Sequence, residues 1–471
     1  MFFGQDKTPA RVGYDPRQFD ANQPPIRLEN EPALTYQRRR GNSGVRNSGR
    51  GAAQQTSALR LTARFLVLSM FLVLGACDSL LDVELPTRIP AAVLDNPALA
   101  QTLSLGVQNE FECAYSNYVA GSGLFVDELW ASTEFFGYNQ IDSRQITSGL
   151  ANTGDCAAGN LFHIFLPIYR ANWVAQDVAE RLSAFSTDEV PRRDEFIATA
   201  MLYSGFTTTL LAEGYCQAVV EEEGPALDPP DVFRAAEARF SEAITLAQSA
   251  GFQGLLDAAR VGRARVRLGL GDTDGASNDA SAVPEGFRMD ATYSTASALR
   301  ENQLQVTMFR DQFVSVEPPY WDLEVGGMPD PRVDLDMKGG ALGPDGATPY
   351  VVANKYAEGP EAPIRLASWE EAQLIIAEAQ LGQAAVDAIN AVRATHGLPP
   401  YVPVNVNDGN EILAQVIEER RREFFLEGHW LGDKRRHDIP FKTENHKDQT
   451  VGSRTCFPLP QREADNNPNA G

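Results

Sequence analysis

The sequence predicts a mostly α-helical protein in which paired helices alternate with long, irregular, loop-rich insertions. Apolar residues recur every three or four positions through several long segments, as they do on the buried face of a helix. Between these segments lies a stretch rich in glycine and proline, residues 284–365. With 471 residues and 43% apolar side chains, the chain can form a substantial core, and we expect one large domain or two fused ones.

Charge is unevenly distributed along the chain. The formal net charge is −22, yet residues 1–76 carry eleven basic and five acidic side chains, a net charge of +6 that leaves −28 for the remainder. A basic leader before an acidic body is typical of a targeting segment. Because an acidic body repels a phosphate backbone, we do not expect nucleic acid to be a partner.

Residues 60–77 have the features of a bacterial lipoprotein signal peptide. Residues 65–74 are apolar with one exception, too short a run to span a membrane but suited to a signal peptide. The sequence LGAC at 74–77 resembles the lipobox, whose cysteine is acylated and becomes the new N-terminus. We therefore predict lipidation at Cys77; a buried helix that merely precedes a cysteine is the alternative.

The segments on either side of the signal peptide have no clear hydrophobic period. Residues 1–59 are rich in Arg, Gly, Gln and Asn and are expected to be a disordered leader, or the result of a start codon placed too far upstream. Either way, they should be absent from the mature protein. Residues 78–90 contain two prolines and are predicted to form an extended tether.

Four cysteines remain after Cys77, namely Cys113, Cys156, Cys216 and Cys456. A compartment outside the cytoplasm permits disulfides, and four cysteines allow three pairings. We favour Cys113 with Cys156 and Cys216 with Cys456, and buried free thiols are the alternative. The sequence contains no CxxC pair, which excludes a zinc ribbon and a thioredoxin motif.

The first helical patterns follow the tether. Residues 96–110 open with an Asn cap and a Pro at the first helical position, which is a preferred helix start. Two longer patterns, 163–186 and 191–214, are separated by the short polar segment STD at 186–188. This order predicts a helix, a turn and a second helix.

Residues 231–282 have the most specific helical pattern. Small and large apolar side chains share one helix face around Phe240, and the arrangement recurs between 258 and 280. The pattern resembles tetratricopeptide repeats, in which small residues allow paired antiparallel helices to approach closely. A further pair of helices is predicted at 368–395 and 409–428.

The binding surface is expected in the loop-rich stretch, because loops of this length are uncommon unless they are functional. Exposed aromatic rings can stack on sugars while nearby polar groups bind hydroxyls. The candidate ligand contacts are Tyr320, Trp321 and Asp322 in this stretch, and Trp130, Phe135, Phe136, Tyr138, Asn139 and Gln140 after the first helix. The alternative for each is core packing, which we predict for Trp173 and Trp369 within their helices.

The sequence contains no recognisable motif of catalysis or cofactor binding. It has no GxSxG, HExxH or P-loop in a suitable context, and its five histidines lack a convincing metal-ligand spacing. The segment DTDG at 272–275 resembles half of a calcium loop but lacks the final Glu, so a plain turn is favoured. We therefore expect no catalytic residue, no cofactor and no metal site.

The C-terminal part carries a motif that resembles a known family. Residues 417–436 read IEERRREFFLEGHWLGDKRR, which is similar to the C-terminal signature of the SusD/RagB family of outer-membrane nutrient-binding lipoproteins. Further fragments follow the family's order: LDV at 81–83, DPR at 330–332, NKY at 354–356, LIIAEA at 374–379, INAVRA at 389–394, FPLP at 457–460, Glu463 and NPN at 467–469. The resemblance covers residues 77–471, although Trp430 and Lys434 depart from the usual signature.

The resemblance implies a SusD-like nutrient-binding domain over residues 78–471, with an N-terminal part to about 283 and a C-terminal part from about 284. It implies a lipid-anchored protein on the extracellular face of the outer membrane. Such a protein captures a glycan or peptide for a SusC-like, TonB-dependent transporter and is not an enzyme. The alternatives are a helical-repeat scaffold that binds only protein and a lipid-anchored glycoside hydrolase.

The charged residues of the signature are interpreted as structural. Carboxylates three or four residues apart on a helix can form ion pairs at a partly buried seam. The acids are Glu419, Glu423 and Glu427, and the expected basic partners are Arg420, Arg435 and Arg436. A catalytic carboxylate pair, as in glycosidases, is disfavoured because basic residues crowd these acids.

Overall fold

A computed structural model describes residues 91–149, 156 and 164–470 of the chain. They belong to one of its two compact units, Pro86–Gly471. The other unit, Met1–Leu85, lies outside the described residues. The predicted leader, the signal peptide with Cys77 and the tether at 78–90 also lie outside them.

The described residues are mostly helical, as the sequence predicts. The helices of six residues or more are α1 (Ala100–Phe125), α2 (Phe136–Asp142), α3 (Phe165–Ser183), α4 (Arg193–Gly214), α5 (Pro229–Ala250), α6 (Gln253–Leu270), α7 (Thr273–Ser281), α8 (Trp369–Gln380), α9 (Gly382–Thr395), α10 (Gly409–Glu423), α11 (Trp430–Arg436) and α12 (Gln461–Asn466). Helices α3 to α9 each pack on the next, and α1 packs on α3 and α4. None of the described helices is both long and apolar enough to cross a membrane.

Helix α1 begins where the sequence predicts but extends further. The side chain of Asn96 accepts a hydrogen bond from the Ala98 N–H at 3.0 Å and caps a short 3₁₀ turn that leads into α1. The predicted end at Glu110 is wrong, because the helix continues to Phe125. From Phe111 onward every side chain of α1 is buried, so no alternation of polar and apolar residues marks this half.

Small residues bring the central helices close together. The Phe240 ring of α5 lies between Gly205 of α4 and Gly262 of α6. A Cβ atom would lie 2.7 Å from the ring at Gly205 and 2.4 Å from it at Gly262, so neither position has room for a side chain. The predicted close packing around Phe240 is therefore confirmed.

Three details of the later helices differ from the prediction. Residues 368–395 form two helices rather than one, because Leu381 adopts a φ of 54° that separates α8 from α9. Helix α10 ends at Glu423 rather than 428. The side chain of Asp272 accepts from the Gly275 N–H at 3.0 Å and caps α7, so residues 272–275 form the start of a helix rather than the plain turn that the sequence favoured.

Short strands organise the loop-rich stretch. The sequence did not predict these strands. The antiparallel pairs of the described residues are β1 (Leu129–Ala131) with β3 (Val314–Val316), β2 (Arg288–Ala291) with β8 (Ile364–Ser368), β4 (Glu324–Val325) with β5 (Met328–Pro329), and β6 (Leu335–Asp336) with β7 (Val352–Ala353). In the first pair, Trp130 lies opposite Ser315. This pairing attaches the loop-rich stretch to the chain that follows α1.

Two disulfides connect distant parts of the chain. Cys113 is bonded to Cys156 and Cys216 to Cys456, which is the pairing favoured from the sequence. Beside the second bond, the Cys216 N–H donates to the Phe457 carbonyl at 2.9 Å, and the Phe457 N–H donates to the Gly214 carbonyl at 2.8 Å. The C-terminal segment is thus held against the end of α4.

Candidate ligand-binding site

Trp130 and Trp321, both candidate ligand contacts, lie side by side although they are distant in the sequence. Strand β1 carries Trp130, and its partner β3 leads through the turn Pro318–Tyr320 to Trp321. The ring centroids are 6.2 Å apart and the planes meet at 76°. The Trp321 Nε1–H donates to the Val316 carbonyl at 2.9 Å, which fixes the indole. Both side chains are half-buried, so part of each indole contacts solvent.

A third ring, His446, joins this pair. Its imidazole stacks on Trp130 with the centroids 4.3 Å apart and the planes inclined by 23°. Burial lowers the pKa of His446, so the ring is neutral at neutral pH. Its Nε2 lies 2.8 Å from the Thr348 hydroxyl oxygen, and that hydroxyl donates to Asp345. The Nε2 atom therefore carries the imidazole proton and donates to Thr348. We call Trp130, Trp321 and His446 the aromatic cluster.

Polar contacts behind His446 hold its loop in place. Burial opposes ionisation of Asp345, but hydrogen bonds from Lys447 and Thr348 lower the pKa of its carboxyl group. Lys447 Nζ lies 2.8 Å from Asp345 Oδ2 and also donates to the Thr133 carbonyl at 2.8 Å. These contacts connect the loop of His446 to the residues that follow β1.

A second lysine in the same loop supports the cluster from another side. Lys442 Nζ lies 2.6 Å from Asp142 Oδ1 and 2.6 Å from Glu317 Oε1. Burial opposes the charge of Lys442, but these two carboxylates raise the pKa of its ammonium group. Asp142 also accepts from the Ala131 N–H at 3.0 Å. The loop, strand β1 and the segment before Trp321 are thereby tied together.

Tyr320 is a core residue, which contradicts its prediction as a ligand contact. Its side chain is 1% exposed, and its ring stacks on Phe425 with the centroids 4.5 Å apart. The guanidinium carbon of Arg421 lies 4.7 Å from the same ring. With its ring covered in this way, Tyr320 cannot stack on a ligand.

Two residues of α2 are also corrected. Tyr138 is 2% exposed, with its ring edge-on to Phe313 at 5.4 Å, so it is a core residue. Asn139 is buried, and its amide donates to the carbonyls of Thr133 at 2.7 Å and Phe135 at 3.0 Å. Asn139 therefore caps local backbone and is not available for a ligand.

The other predicted contacts remain accessible. Phe135 and Phe136 are 46% and 70% exposed, Asp322 is exposed and Gln140 is half-buried. Asp322 follows Trp321 directly and adopts a φ of 50°. Of the predicted polar contacts, Asp322 is therefore the one closest in sequence to an indole of the aromatic cluster, that of Trp321.

The predictions for the two helical tryptophans have different outcomes. Trp369 packs against the core, as predicted. Trp173 of α3 was also predicted to be a core residue, which is wrong, because its side chain is 50% exposed. It lines a separate groove between α3 and residues 219–223 that contains several carboxylates.

The geometry of the aromatic cluster is suited to binding a sugar ring. Half-buried indoles offer flat apolar surface to the C–H face of a pyranose, while an exposed carboxylate can accept bonds from hydroxyl groups. The rings are held by backbone pairing, a stacked imidazole and buried lysine contacts, so little freedom is lost on binding. The arrangement can bind and orient a ligand.

His446 was not among the candidate contacts. The only sequence signal that could have indicated it is its place in a polar C-terminal loop, which is not specific. Its role depends on a contact with Trp130, and no local pattern encodes that contact. In the part of the chain that the structure describes, no group of three or more His, Cys, Asp or Glu side chains is placed to hold a metal ion.

The acids of the C-terminal signature are buried and paired with basic residues. Glu419 lies 2.6 Å from Arg332 and 2.5 Å from Arg393. Glu423 and Glu427 lie 2.8 Å and 2.9 Å from Arg365. The interpretation of these acids as structural ion-pair partners is therefore confirmed, and we call this group the buried ion network.

The partners in the network differ from those expected. Arg435 forms no ion pair in the described structure, and Arg436 pairs with Glu378 and Asp433 at 2.8 Å and 2.7 Å. Arg420 pairs with Asp433 at 2.9 Å. The expected pairing of the signature acids with Arg435 or Arg436 is wrong. These acids pair instead with Arg332, Arg365 and Arg393, which lie outside the signature.

Ion pairs and hydrogen bonds connect several of the fragments that carry the family resemblance, whereas LDV at 81–83 lies outside the described residues. Arg332 belongs to the DPR segment, Arg393 to INAVRA and Glu378 to LIIAEA. Lys355 of NKY lies 3.0 Å from Glu427. In the last fragment, Asn467 donates to the Gly224 carbonyl at 2.8 Å. The fragments are thus parts of one packed framework.

Comparisons with known proteins agree with this framework. A model of the SusD family matches residues 344–470. The fold is similar to a SusD homolog from Bacteroides thetaiotaomicron, with 14% identity, 82% of this chain and 99% of that chain covered, and a TM-score of 0.64. It is similar to a SusD-like carbohydrate binding protein from Bacteroides vulgatus, with 14% identity, 80% and 98% covered, and a TM-score of 0.58.

A third similar structure is surface glycan-binding protein A from Bacteroides fluxus, with 14% identity, 78% of this chain and 96% of that chain covered, and a TM-score of 0.58. No curated protein was found to match the sequence. The resemblance to the SusD/RagB family is thus confirmed by the match of the C-terminal segment and by the fold.

Proposed function

We propose, from the premise that this chain resembles the SusD/RagB family in sequence and in fold, that it binds carbohydrate at the cell surface. The observation that supports the proposal most directly is the aromatic cluster, in which Trp130 and Trp321 meet from separate segments. Two of the similar structures bear names that describe carbohydrate or glycan binding. The ligand stacks on the indoles, and Asp322 accepts hydrogen bonds from its hydroxyl groups.

The test of this site is direct measurement of glycan binding. We expect a panel of oligosaccharides, followed by calorimetry, to identify a ligand. Trp130→Ala and Trp321→Ala should each weaken that ligand by about tenfold, since stacking on an aromatic ring contributes on the order of 1 kcal/mol beyond buried area. Circular dichroism and thermal unfolding must show that both variants remain folded.

Trp173→Ala is the matched control, because Trp173 is exposed, belongs to α3 and lines the separate groove beside residues 219–223. It should bind the same ligand as the wild type does. If Trp173→Ala abolished binding while the cluster variants kept their affinity, the aromatic cluster would not be the ligand site.

We propose further that the protein is anchored by lipid at Cys77 and carried on the outer membrane. The signal sequence and lipobox support this, and the several acyl chains of a bacterial lipoprotein would hold it durably on a membrane. Cys77→Ala should prevent acylation and release the protein from the membrane fraction. Labelling of the variant with palmitate, or its continued partition with outer membranes, would contradict the anchor.

The same family resemblance supports a SusC-like, TonB-dependent transporter as the partner in uptake of glycans or other oligomeric nutrients. The protein would deliver ligand to the transporter, which supplies the coupling to energy. Co-purification of such a transporter with the detergent-extracted, lipid-anchored protein tests the partnership. Purification of the protein without a transporter from membranes that contain one would count against it.

The two alternative functions lead to different measurements. A scaffold that binds only protein would show no affinity for any oligosaccharide in the panel. A glycoside hydrolase would release reducing ends from the bound ligand. We propose binding without turnover, because Glu419, Glu423 and Glu427 are each held by a buried Arg or Lys.

A further inference from the structure

A basic cavity lies apart from the acidic surface that dominates this protein. It has a volume of about 590 Å³ and is formed by Arg144, two residues after α2, by the end of α11 and by the loop 438–455. Its lining includes the cations Arg144, Lys434 and Arg435 and the hydroxyl groups of Thr443, Ser453 and Thr455. The protein has a net charge of −22, so three cations around one cavity require an explanation.

Arg144 is the more buried of the two arginines that line the cavity. Arg144 is 5% exposed and forms no ion pair in the described structure, although the charge of Asp127 acts on it. Its Nη1 and Nη2 atoms donate to the carbonyls of Arg454 and Lys442, each at 2.6 Å. The Nε–H is also buried and has no acceptor among the described residues. One donor of Arg144, a residue that lines the cavity, therefore remains unsatisfied.

Arg435 is in a similar situation. Its Nη1 donates to the carbonyls of Ala212, Glu213 and Tyr215, at 3.2, 2.6 and 3.1 Å, but it has no ion pair in the described structure. Burial lowers the pKa of both Arg144 and Arg435, and the acids near them, Asp127 for Arg144 and Glu213 for Arg435, only partly oppose that effect.

The other charges of the cavity do not neutralise these two cations. Lys434 is already paired with Asp127 at 2.5 Å. The acid that lines the cavity, Asp438, is exposed and forms no ion pair in the described structure. Arg144 and Arg435 therefore line the cavity without forming an ion pair in the described structure.

Other buried arginines of the described residues do form ion pairs. Arg265, Arg332, Arg365 and Arg420 are buried and pair with acids at 2.6 to 2.9 Å. Such pairing is the rule for a buried charge, because removing a charge from water is costly unless a counter-ion replaces the hydration. Arg144 and Arg435 depart from that rule, and both line the same cavity.

We propose that this cavity binds an oxyanion, a carboxylate, sulfate or phosphate group, between Arg144 and Arg435. Arginine presents several N–H groups in a plane, which suits the spaced oxygens of such a group. The hydroxyls of Thr443, Ser453 and Thr455 supply additional donors around it. The oxyanion is either a free inorganic ion or the charged substituent of an acidic sugar. This site is separate from the aromatic cluster and does not depend on carbohydrate binding there.

The test measures the purified protein with sodium sulfate, sodium phosphate and sodium glucuronate at millimolar concentrations. Sodium chloride holds the ionic strength constant. Low concentration matters, because sulfate and phosphate stabilise proteins generally at high concentration. We expect at least one of these anions to raise the melting temperature and to give a saturable calorimetric signal. Glucose is the neutral probe for glucuronate and should have no effect at this site.

Two variants should remove the response. Arg144→Gln should weaken anion binding by about tenfold or more, because it removes a charge-assisted contact. Ser453→Asp places a carboxylate of the protein in the cavity, so it should raise the melting temperature without added anion and abolish the anion response. Ser453 is exposed, so this variant remains informative even if Arg144→Gln does not fold.

Arg454→Gln is the matched control. Arg454 lies in the same loop and is exposed, but only its backbone carbonyl contacts Arg144. Its anion response should equal that of the wild type. Sulfate and phosphate acting more strongly than glucuronate would identify an inorganic ion, and the reverse would identify an acidic sugar. The proposal is overturned if no oxyanion binds, or if Ser453→Asp responds as the wild type does.

Discussion

Two adjacent residues, Tyr320 and Trp321, have opposite environments. Tyr320 is the last residue of the 3₁₀ turn Pro318–Tyr320, and the backbone changes to an extended conformation at Trp321, so the two side chains leave the backbone in different directions. Tyr320 therefore enters the core and stacks on Phe425, while Trp321 reaches the surface beside Trp130. The same local sequence supplies one residue to stability and the next to the candidate site.

This contrast predicts different costs for the two alanine substitutions. Tyr320→Ala should lower the free energy of unfolding by about 3–5 kcal/mol, because it leaves a cavity beside Phe425. Trp321→Ala removes a half-buried ring and one hydrogen bond, and should cost about 1–2 kcal/mol. Urea denaturation of both variants measures the difference. An equal or larger cost for Trp321→Ala would mean that its indole is mainly a core residue.

At the scale of helices, close approach depends on missing side chains. Phe240 fills the space left by Gly205 and Gly262, so α4, α5 and α6 meet at one aromatic ring. Glycine is unfavourable within a helix by about 1 kcal/mol relative to alanine. At these positions that cost is offset by the packing that the absent Cβ allows.

The packing at Phe240 predicts the effect of a single methyl group. Gly262→Ala should destabilise the protein by about 1–3 kcal/mol, because the new Cβ would overlap the Phe240 ring. Gly254 lies in the same helix, α6, and has no atom within 4 Å of its would-be Cβ. Gly254→Ala should therefore be neutral or stabilising. Thermal unfolding of both variants is the measurement, and a stabilised Gly262→Ala would contradict the close packing.

At the scale of the whole molecule, long-range charge pairs and a disulfide connect distant segments. The buried ion network brings fragments of the C-terminal third onto one framework around α10. The bond between Cys216 and Cys456 closes a loop of about 240 residues, for which the chain-entropy model gives roughly 5 kcal/mol as an upper expectation. Both features restrict how far the C-terminal region can separate from the helical array.

The buried ion network predicts how stability depends on pH. Burial opposes the charge of Glu423, but Arg365, His396 and Arg332 lower the pKa of its carboxyl group to about 2. A carboxylate whose pKa is lower in the folded state adds stability above its unfolded pKa and loses that contribution as the pH falls. The lowering of the Glu423 pKa from the usual 4.5 to about 2 corresponds to a contribution of about 3 kcal/mol to the free energy of unfolding.

Urea unfolding of the wild type and of Glu423→Gln between pH 7 and pH 3 measures this contribution. The variant should be less stable at pH 7, and the difference should shrink as the pH falls below about 4.5. Glu242→Gln is the control, because Glu242 is exposed on α5, and it should follow the wild type at every pH. A difference that stays constant with pH would show that Glu423 acts through packing rather than through its charge.

The sequence by itself determined the features that depend on local patterns. Periodic apolar residues predicted α3, α4 and the helices from α5 to α7, and an Asn–Pro start predicted the beginning of the first long segment. The spacing of charged residues at 417–436 indicated a structural role and the family resemblance. Each of these signals lies within a few helical turns of sequence, so it can be recognised without knowing the fold.

Only the tertiary structure decided which residues meet. It brought Trp130 and Trp321 together through the pairing of β1 with β3 and stacked His446 on Trp130, and it buried Tyr320 and Tyr138, which the sequence indicated as candidate ligand contacts. An aromatic residue in a loop has the same local signal whether it faces solvent or the core. Its environment is decided by which distant segment packs against it, and that depends on the free energy of the whole fold.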